Sequence, residues 1–383
     1  MTIFVIPSSF PNKNNPQASI FVLEQCKALQ KLGHKIVVLD SGAYSIKYWK
    51  DSDCWKMRKE KYEGLDVYRF NVPIAKRSIF KRTGSFLAGK HVKKMFNGAI
   101  SEYGIPDVIY CHFSYPTGKI CVKLSKQYSI RLVVEEHGGM YFSNKIDRYY
   151  INNLKIVLKD SHAFITVSES LKNRLSSLTG FNDMIVIPNL IDPMFTFQNR
   201  IKKEKFRFFS AGNLVESKRF PLLIDCFKAC LDSKHNAELV IAGDGPDKDL
   251  ISKYIYKLGL ENNVSLLGRL SRKRILEEYK LCDCFALLSE HETFGIVYRE
   301  AMAVGRPVVT TNNQGMAEGW DDSYGFMVEV DNRKQGATAM IDIMDKYEKF
   351  NLETISNKTI KLFSSDSVAE RIASILLPNG NKQ

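Results

Sequence analysis

The sequence predicts an α/β protein built from two doubly wound domains. Its 383 residues are long for a single hydrophobic core. Short apolar runs alternate with helical patterns over the whole length, as parallel sheets covered on both faces require. The break between two such sets falls near residues 192–205, where Pro193 follows a strand end and Gln198–Lys205 is polar and charged. On this reading residues 1–195 form the first domain, 196–365 the second, and 366–383 a C-terminal helix that returns to the first.

Each element has its own local reason. Ile3-Phe4-Val5-Ile6 reads as the opening strand. Ile20, Phe21, Leu23, Leu29 and Leu32 share one face of a helix that Gly33 closes. Strands follow at 36–40, 67–70, 108–112, 132–137, 164–167 and 185–187. The second set runs 206–211, 238–242, 264–267, 284–289, 307–311 and 326–330. Between the first two of these, Pro221 suits a first helical turn, and Leu222, Leu223, Cys226, Phe227, Cys230 and Leu231 make one apolar stripe to Asp232. In open sheets of this kind ligands bind beyond the carboxyl ends of the strands. The cleft between the two domains is therefore the expected site.

Composition narrows the function classes. Apolar content of 44% and charged content of 25% are ordinary for a globular protein. No eighteen-residue apolar run is present, so no transmembrane helix is expected. Met1–Phe10 lacks the basic start and long apolar core of a signal peptide. Eight cysteines without scaffold spacing suit a reducing cytosol. The net charge of +13 is lopsided: residues 1–195 carry 28 Lys+Arg against 16 Asp+Glu, residues 196–383 carry 27 against 26. Within 47–94 the balance is 14 basic to 5 acidic, interleaved with Tyr48, Trp49, Trp55, Phe80, Phe86 and Leu87, with Phe96 just beyond. That stretch reads either as a solvated basic face or as a peripheral contact with an anionic membrane. Nucleic acid is not an expected partner, because no nucleic-acid module accompanies the charge.

Four glycine-bearing loops follow four strands of the second set: Gly212–Lys218, Gly243–Pro246, Gly268–Leu270 and Glu292–Gly295. Lys218 is a mobile cation able to reach a diphosphate. Gly295 leads into a helix whose free N–H groups suit a phosphate. Glu292 stands at a strand's carboxyl end and Glu300 about two turns into the following helix, roughly 12 Å away or less, which matches a sugar diphosphate in length. Glu300 is flanked by Ala301, Met302, Ala303 and Val304, so a buried carboxylate there needs a partner. His137 reads as a site residue or as a strand-end cap, His112 as acceptor contact or packing, and His291 as solvent-facing. Arg272-Lys273-Arg274 reads as an exposed helix start. Cys282-Asp283-Cys284 has no second cysteine pair, so zinc is not expected. Asp51-Ser52-Asp53 reads as surface.

These residues resemble retaining glycosyltransferases of family 4, the group 1 glycosyl transferases of the GT-B class. The family pattern Glu-Gly-Phe-Gly, a second Glu after seven intervening residues, then Glu-Ala-Met-Ala-x-Gly-x-Pro-Val-Val, is similar to Glu292-Thr293-Phe294-Gly295 and Glu300–Val309. Gly212–Lys218, Gly243–Pro246, Ile187–Asp192, His112–Gly118, Glu136–Gly138 and Ile20–Gln25 resemble further family segments, so the resemblance spans nearly the whole chain. It implies the GT-B fold, two Rossmann-like domains facing each other across a cleft. It implies catalytic roles for Glu292, His137 and Lys218. Donor contacts would come from Glu300 on the ribose, from Gly212, Asn213, Gly245 and Arg269, and from the backbone of Phe294, Gly295, Ile296 and Val297. His112 and Asn15 would meet the acceptor.

Two departures bear on chemistry. Asn213 stands where the family usually has a second arginine on the diphosphate, and Arg219 is a candidate substitute. Ala18-Ser19 precedes the first helix where the family often has glycine. The expected reaction is transfer of a sugar from a UDP- or GDP-linked donor to a glycan or lipid-linked glycan, without metal or cofactor. Lys218 and a helix N-terminus would neutralise the leaving diphosphate. The expected location is cytoplasmic, peripheral at the inner membrane face. A sugar-nucleotide epimerase and a non-catalytic nucleotide-sugar binder are the alternatives on the same architecture.

Overall fold

The computed structural model describes residues 1–13, 15–45, 56–70, 72–74, 81–143 and 145–377. Tyr48, Trp49, Asp51-Ser52-Asp53, Trp55 and Phe80 lie outside them. The chain divides into two compact units, Met1–Leu190 with the segment from Ser365 on, and Ile191–Ser364. The crossing points are set by pairing: Ile191 bridges Ser364, and its N–H donates to Phe363 O at 2.8 Å. The division therefore falls a few residues ahead of the expected 195.

The first unit holds strands β1 (Thr2–Pro7), β2 (Lys35–Asp40), β3 (Ala43–Ser45), β4 (Met57–Tyr62), β5 (Leu65–Phe70), β6 (Val72–Ile74), β7 (Val108–His112), β8 (Arg131–Glu136), β9 (Ala163–Thr166) and β10 (Ile185–Val186). Eight form one sheet in the order β10-β9-β8-β7-β1-β2-β5-β4, while β3 and β6 pair separately. All neighbours are parallel except β4 and β5, an antiparallel hairpin. Helices α1 (Ile20–Lys31), α2 (Lys81–Tyr103), α3 (Gly118–Tyr128), α4 (Arg148–Asp160) and α5 (Glu169–Thr179) connect them. The hairpin was missing from the sequence reading. Met57-Arg-Lys-Glu-Lys-Tyr62 is polar on both faces because β4 is the sheet's outer strand.

The second unit holds β11 (Phe206–Ala211), β12 (Ala237–Ala242), β13 (Val264–Gly268), β14 (Cys284–Leu287), β15 (Val308–Thr311) and β16 (Gly325–Val328), all parallel, in the order β13-β12-β11-β14-β15-β16. Its helices are α6 (Phe220–Asp232), α7 (Lys248–Lys257), α8 (Arg272–Leu281), α9 (Ile296–Ala303), α10 (Gln314–Ala317), α11 (Arg333–Asp345) and α12 (Leu352–Phe363). Strand order reverses between β11 and β14. That reversal is where a doubly wound sheet opens a crevice at its carboxyl edge. Residues 192–205, read as a linker, are docked on this unit: Phe195 is buried, and Gln198 O accepts from Arg306 at 3.0 Å.

Helix α13 (Ser365–Leu376) belongs to the first unit. Val368, Ala369, Ile372 and Leu376 share a buried cluster with Val22 and Leu29 of α1 and Val133 of β8. Arg371 donates to Val186 O, Arg131 donates to Ile375 O, and Lys31 pairs with Asp366. The apolar stripe is what holds this helix, since exposed ion pairs contribute little. Ile372→Ala should cost about 2–5 kcal/mol in a urea titration, against less than about 0.5 kcal/mol for Glu370→Ala on the exposed face.

Candidate active site

Backbone bonds lace the four glycine loops of the second unit into one rim. Gly212 N–H donates to Ala242 O, Leu214 N–H to Asp244 O, Gly243 N–H to Gly268 O, and Glu290 N–H to Ser217 O. Two glycines make the interlock feasible. A Cβ on Gly243, whose φ is +152°, would sit 1.9 Å from Gly212 O, and one on Gly245 would sit 2.3 Å from Leu214 O.

At the reversal point Lys218 and Glu292 meet. Lys218 Nζ lies 2.6 Å from Glu292 Oε1, which also accepts from Ser289 Oγ at 2.9 Å. Both side chains are largely buried. Arg219, the candidate replacement for the missing arginine, is committed elsewhere: it pairs with Glu290 at 2.8 Å and Asp331 at 2.9 Å. Asn213 is exposed on the loop after β11, and Arg269 is exposed on the loop after β13. Gly295 caps α9 with φ +73°, a left-handed conformation that a side chain resists. Phe294 is buried, while Ile296 and Val297 are half-buried in the first helical turn; Tyr279 Oη donates to Val297 O.

Glu300 is 1% exposed. The partner its apolar flanks demanded is Arg272, whose Nη1 lies 2.5 Å from Oε1. Arg272 also reaches Asp192 at 3.3 Å and lies 4.6 Å above the Phe195 ring. Reading Arg272 as an exposed helix start was therefore wrong. Lys273 and Arg274 are exposed, but Arg272 turns inward, and only the unpaired Glu300 signalled that a cation was required. Burial raises the Glu300 pKa and Arg272 opposes the rise. Glu300 Oε2 has no hydrogen-bond partner among the described residues.

The first unit gathers His112 and His137 at the carboxyl ends of β7 and β8. His112 Nδ1 and His137 Nε2 are 3.1 Å apart, and Phe21 of α1 covers His137 at 4.4 Å between ring centres. Both histidines are buried. Beneath them Glu135, directly across the ladder from His112, accepts from Gln25 at 3.0 Å and from Tyr110. Its Oε1 is 3.7 Å from His137 Nε2. Glu136 fixes the following turn, accepting from Ser114 N–H and Oγ and from the N–H groups of His137 and Gly138. Asn15 is exposed in the loop before α1, its N–H donating to Asn12 Oδ1. The ligating atoms of His112, Glu135 and His137 lie within 4.8 Å of one another, a donor set that could suit a transition metal. The imidazole nitrogens that face each other there already share a hydrogen bond.

Two family models cover the chain in succession: Glycosyltransferase Family 4 over residues 18–195 and Glycosyl transferases group 1 over residues 193–359. The chain belongs to the group 1 glycosyltransferases, with the GT-B fold, and is an enzyme of that class. An uncharacterized glycosyltransferase of Methanocaldococcus jannaschii is 26% identical, covering 95% of this chain and 98% of its own. The N-acetyl-alpha-D-glucosaminyl L-malate synthase of Bacillus anthracis is 28% identical over 63% of this chain and 66% of its own. The Anabaena HepE structure in complex with UDP and glucose superposes with a TM-score of 0.75 at 18% identity, covering 98% of this chain and 99% of its own.

Burial sets opposing pH dependences in the His112 cluster. Glu135 is pushed up to about 7 by burial, against the pull of Tyr110 and Gln25, so its stability contribution is full below about 4.5 and lost as pH rises through 7. His112 is pushed down to about 3 by burial, so its contribution is full above 6.5 and lost as pH falls. Between pH 6.5 and 4.5 the two trends oppose. Glu135→Gln removes the compensating trend, so unfolding free energy should fall more steeply with acidification in that window than in the parent. Urea titrations at half-unit pH steps read this directly.

Proposed function

We propose that the protein is a retaining, metal-independent glycosyltransferase. Its donor is a UDP- or GDP-linked sugar and its acceptor a glycan or lipid-linked glycan in cell-surface polysaccharide synthesis. The observation that carries this reading is the pairing of Lys218 with Glu292 where strand order reverses, beside the N-terminus of α9. In the unliganded chain each neutralises the other. A diphosphate offers Lys218 a second anion, and Glu292, released, can accept from a donor-sugar hydroxyl. The first-turn N–H groups of α9 stabilise the negative charge that grows on the leaving phosphate. No protein nucleophile is needed. The acceptor hydroxyl attacks the anomeric carbon from the face the diphosphate leaves, the sugar–phosphate bond breaks, and the hydroxyl proton passes to the departing phosphate oxygen. Glu300 binds the ribose through Oε2. The epimerase and binder readings are not favoured, since the related proteins are named as transferring enzymes.

The basic, aromatic-bearing N-terminal region supports work at the cytoplasmic face of a membrane. On α2, Phe86 is exposed with Lys90 4.8 Å from its ring centre. No helix among the described residues is long and apolar enough to cross a bilayer. Phosphatidylglycerol vesicles should retain the protein at low salt and lose it at high salt, while neutral vesicles retain none; equal retention by both rejects peripheral electrostatic attachment.

Purified protein, incubated with UDP- and GDP-sugars and lipid-linked or free glycans, should give transfer that survives dialysis against EDTA, with the donor's anomeric configuration kept by proton NMR. Glu300→Ala should weaken donor binding about 10- to 150-fold, as loss of hydrogen bonds to a charged group does. Unchanged donor affinity in that variant, or an inverted product, rejects the reading.

A further inference from the structure

The segment after β15 is in backbone contact with the donor loop. A Cβ on Gly315 of α10 would lie 2.7 Å from Glu292 O and 2.8 Å from Phe294 N. Those are main-chain atoms, which cannot swing aside as a side chain would. Thr311 Oγ1 donates to Ser289 O at 2.5 Å, and Asn313 Nδ2 donates to Thr311 Oγ1, so the start of α10 is tied to the strand end that carries Glu292. The Sδ of Met316 would lie 2.8 Å from a Cβ on Gly295.

Arg299 clamps the other side of the same contact. It directly precedes Glu300 on α9 and is fully buried. Its Nη2 donates to Gly315 O at 3.3 Å and Glu318 O at 2.8 Å. The guanidinium carbon lies 5.5 Å from the Phe294 ring centre and 5.0 Å from that of Phe363. Among the described residues it has no carboxylate within ion-pair distance, and its Nε and Nη1 have no hydrogen-bond partner. A methionine would fill this volume without desolvating a charge. The planar fork instead joins the carbonyls of Gly315 and Glu318 to the ring of Phe294, one of the two residues between Glu292 and the α9 cap.

We propose that Arg299 and Gly315 are positioning residues for the donor: together they set the floor on which the Glu292–Ile296 loop rests and so aim its N–H groups. This rests on the donor-binding reading above. Neither residue touches the donor itself. Lysine cannot replace the fork, because it carries the charge at a single point and offers no planar face.

The test is steady-state kinetics of Arg299→Met, Arg299→Lys and Gly315→Ala, with active-site concentration and melting temperature measured in parallel. All three should raise the donor KM about tenfold or more, as misalignment of a binding loop does, and leave the acceptor KM within about twofold. A purely structural role would lower melting temperature and active fraction without separating the two KM values, and that result overturns the proposal. Wild-type behaviour of Arg299→Lys also overturns it, since charge alone would then suffice. Should Gly315→Ala fail to fold, hydrogen exchange of the amides in residues 290–298 of Arg299→Lys decides: faster exchange there with the rest of the second unit unchanged supports the proposal, and unchanged exchange sinks it. Glu300→Ala run alongside separates the two readings. If it weakens donor binding and the Arg299 and Gly315 variants do not, this inference alone fails; if it too leaves donor binding intact, the donor-binding reading fails first.

Discussion

A carboxylate buried inside helix α9 constrains everything around it. Taking Glu300 out of water costs several kcal/mol, and a single guanidinium, Arg272, offsets part of it. Arg272 in turn is held by Asp192 and stacked on Phe195, both from the segment that enters the second unit. Entry segment, α8 and α9 are thereby fixed to one another through one ion-pair network. Removing either charge strands the other in an apolar setting, so the network has few intermediate solutions. The sequence around it, Ala301-Met302-Ala303, fills the remaining space with small and flexible apolar groups that make no competing polar demand.

Lys218 and Glu292 follow the opposite strategy. They are mostly but not fully buried, they neutralise one another, and their loops are tied through Glu290 N–H and Ser217 O. Arg219, by contrast, is shared between Glu290 and Asp331. With Asn213 neutral and Arg219 so committed, Lys218 is the cation that meets Glu292 at this point.

Much of this was legible in the sequence, for identifiable reasons. Strands buried on both faces read as continuous apolar runs, so Phe206–Ala211 and Val108–His112 were located to the residue. Glycine loops at strand ends announced the rim, because left-handed or crowded backbone has few other solutions. What escaped detection depends on side chains that report nothing locally. The edge strand β4 is polar on both faces and has no period-two signal. Arg272 sits in a basic triplet whose other two members are exposed, so only the three-dimensional position of Glu300 distinguishes it. Glu135 lies inside an apolar strand run, and its contact with His137 follows from the register of β7 against β8, which a single sequence does not reveal. Arg299 looks like any helix-surface arginine until the path of α10 is known.

Buried polar atoms left without partners deserve a physical account, since each one forfeits a desolvation cost of about 1–3 kcal/mol. Glu300 Oε2, His137 Nδ1 and His112 Nε2 are three of them, and all stand at the carboxyl side of their sheets. The two histidines stand at the carboxyl ends of β7 and β8 and Glu300 within α9, and each is engaged by a neighbour through its other polar atom. Each such atom lowers stability, and a group that supplied the matching hydrogen bond would recover the desolvation cost.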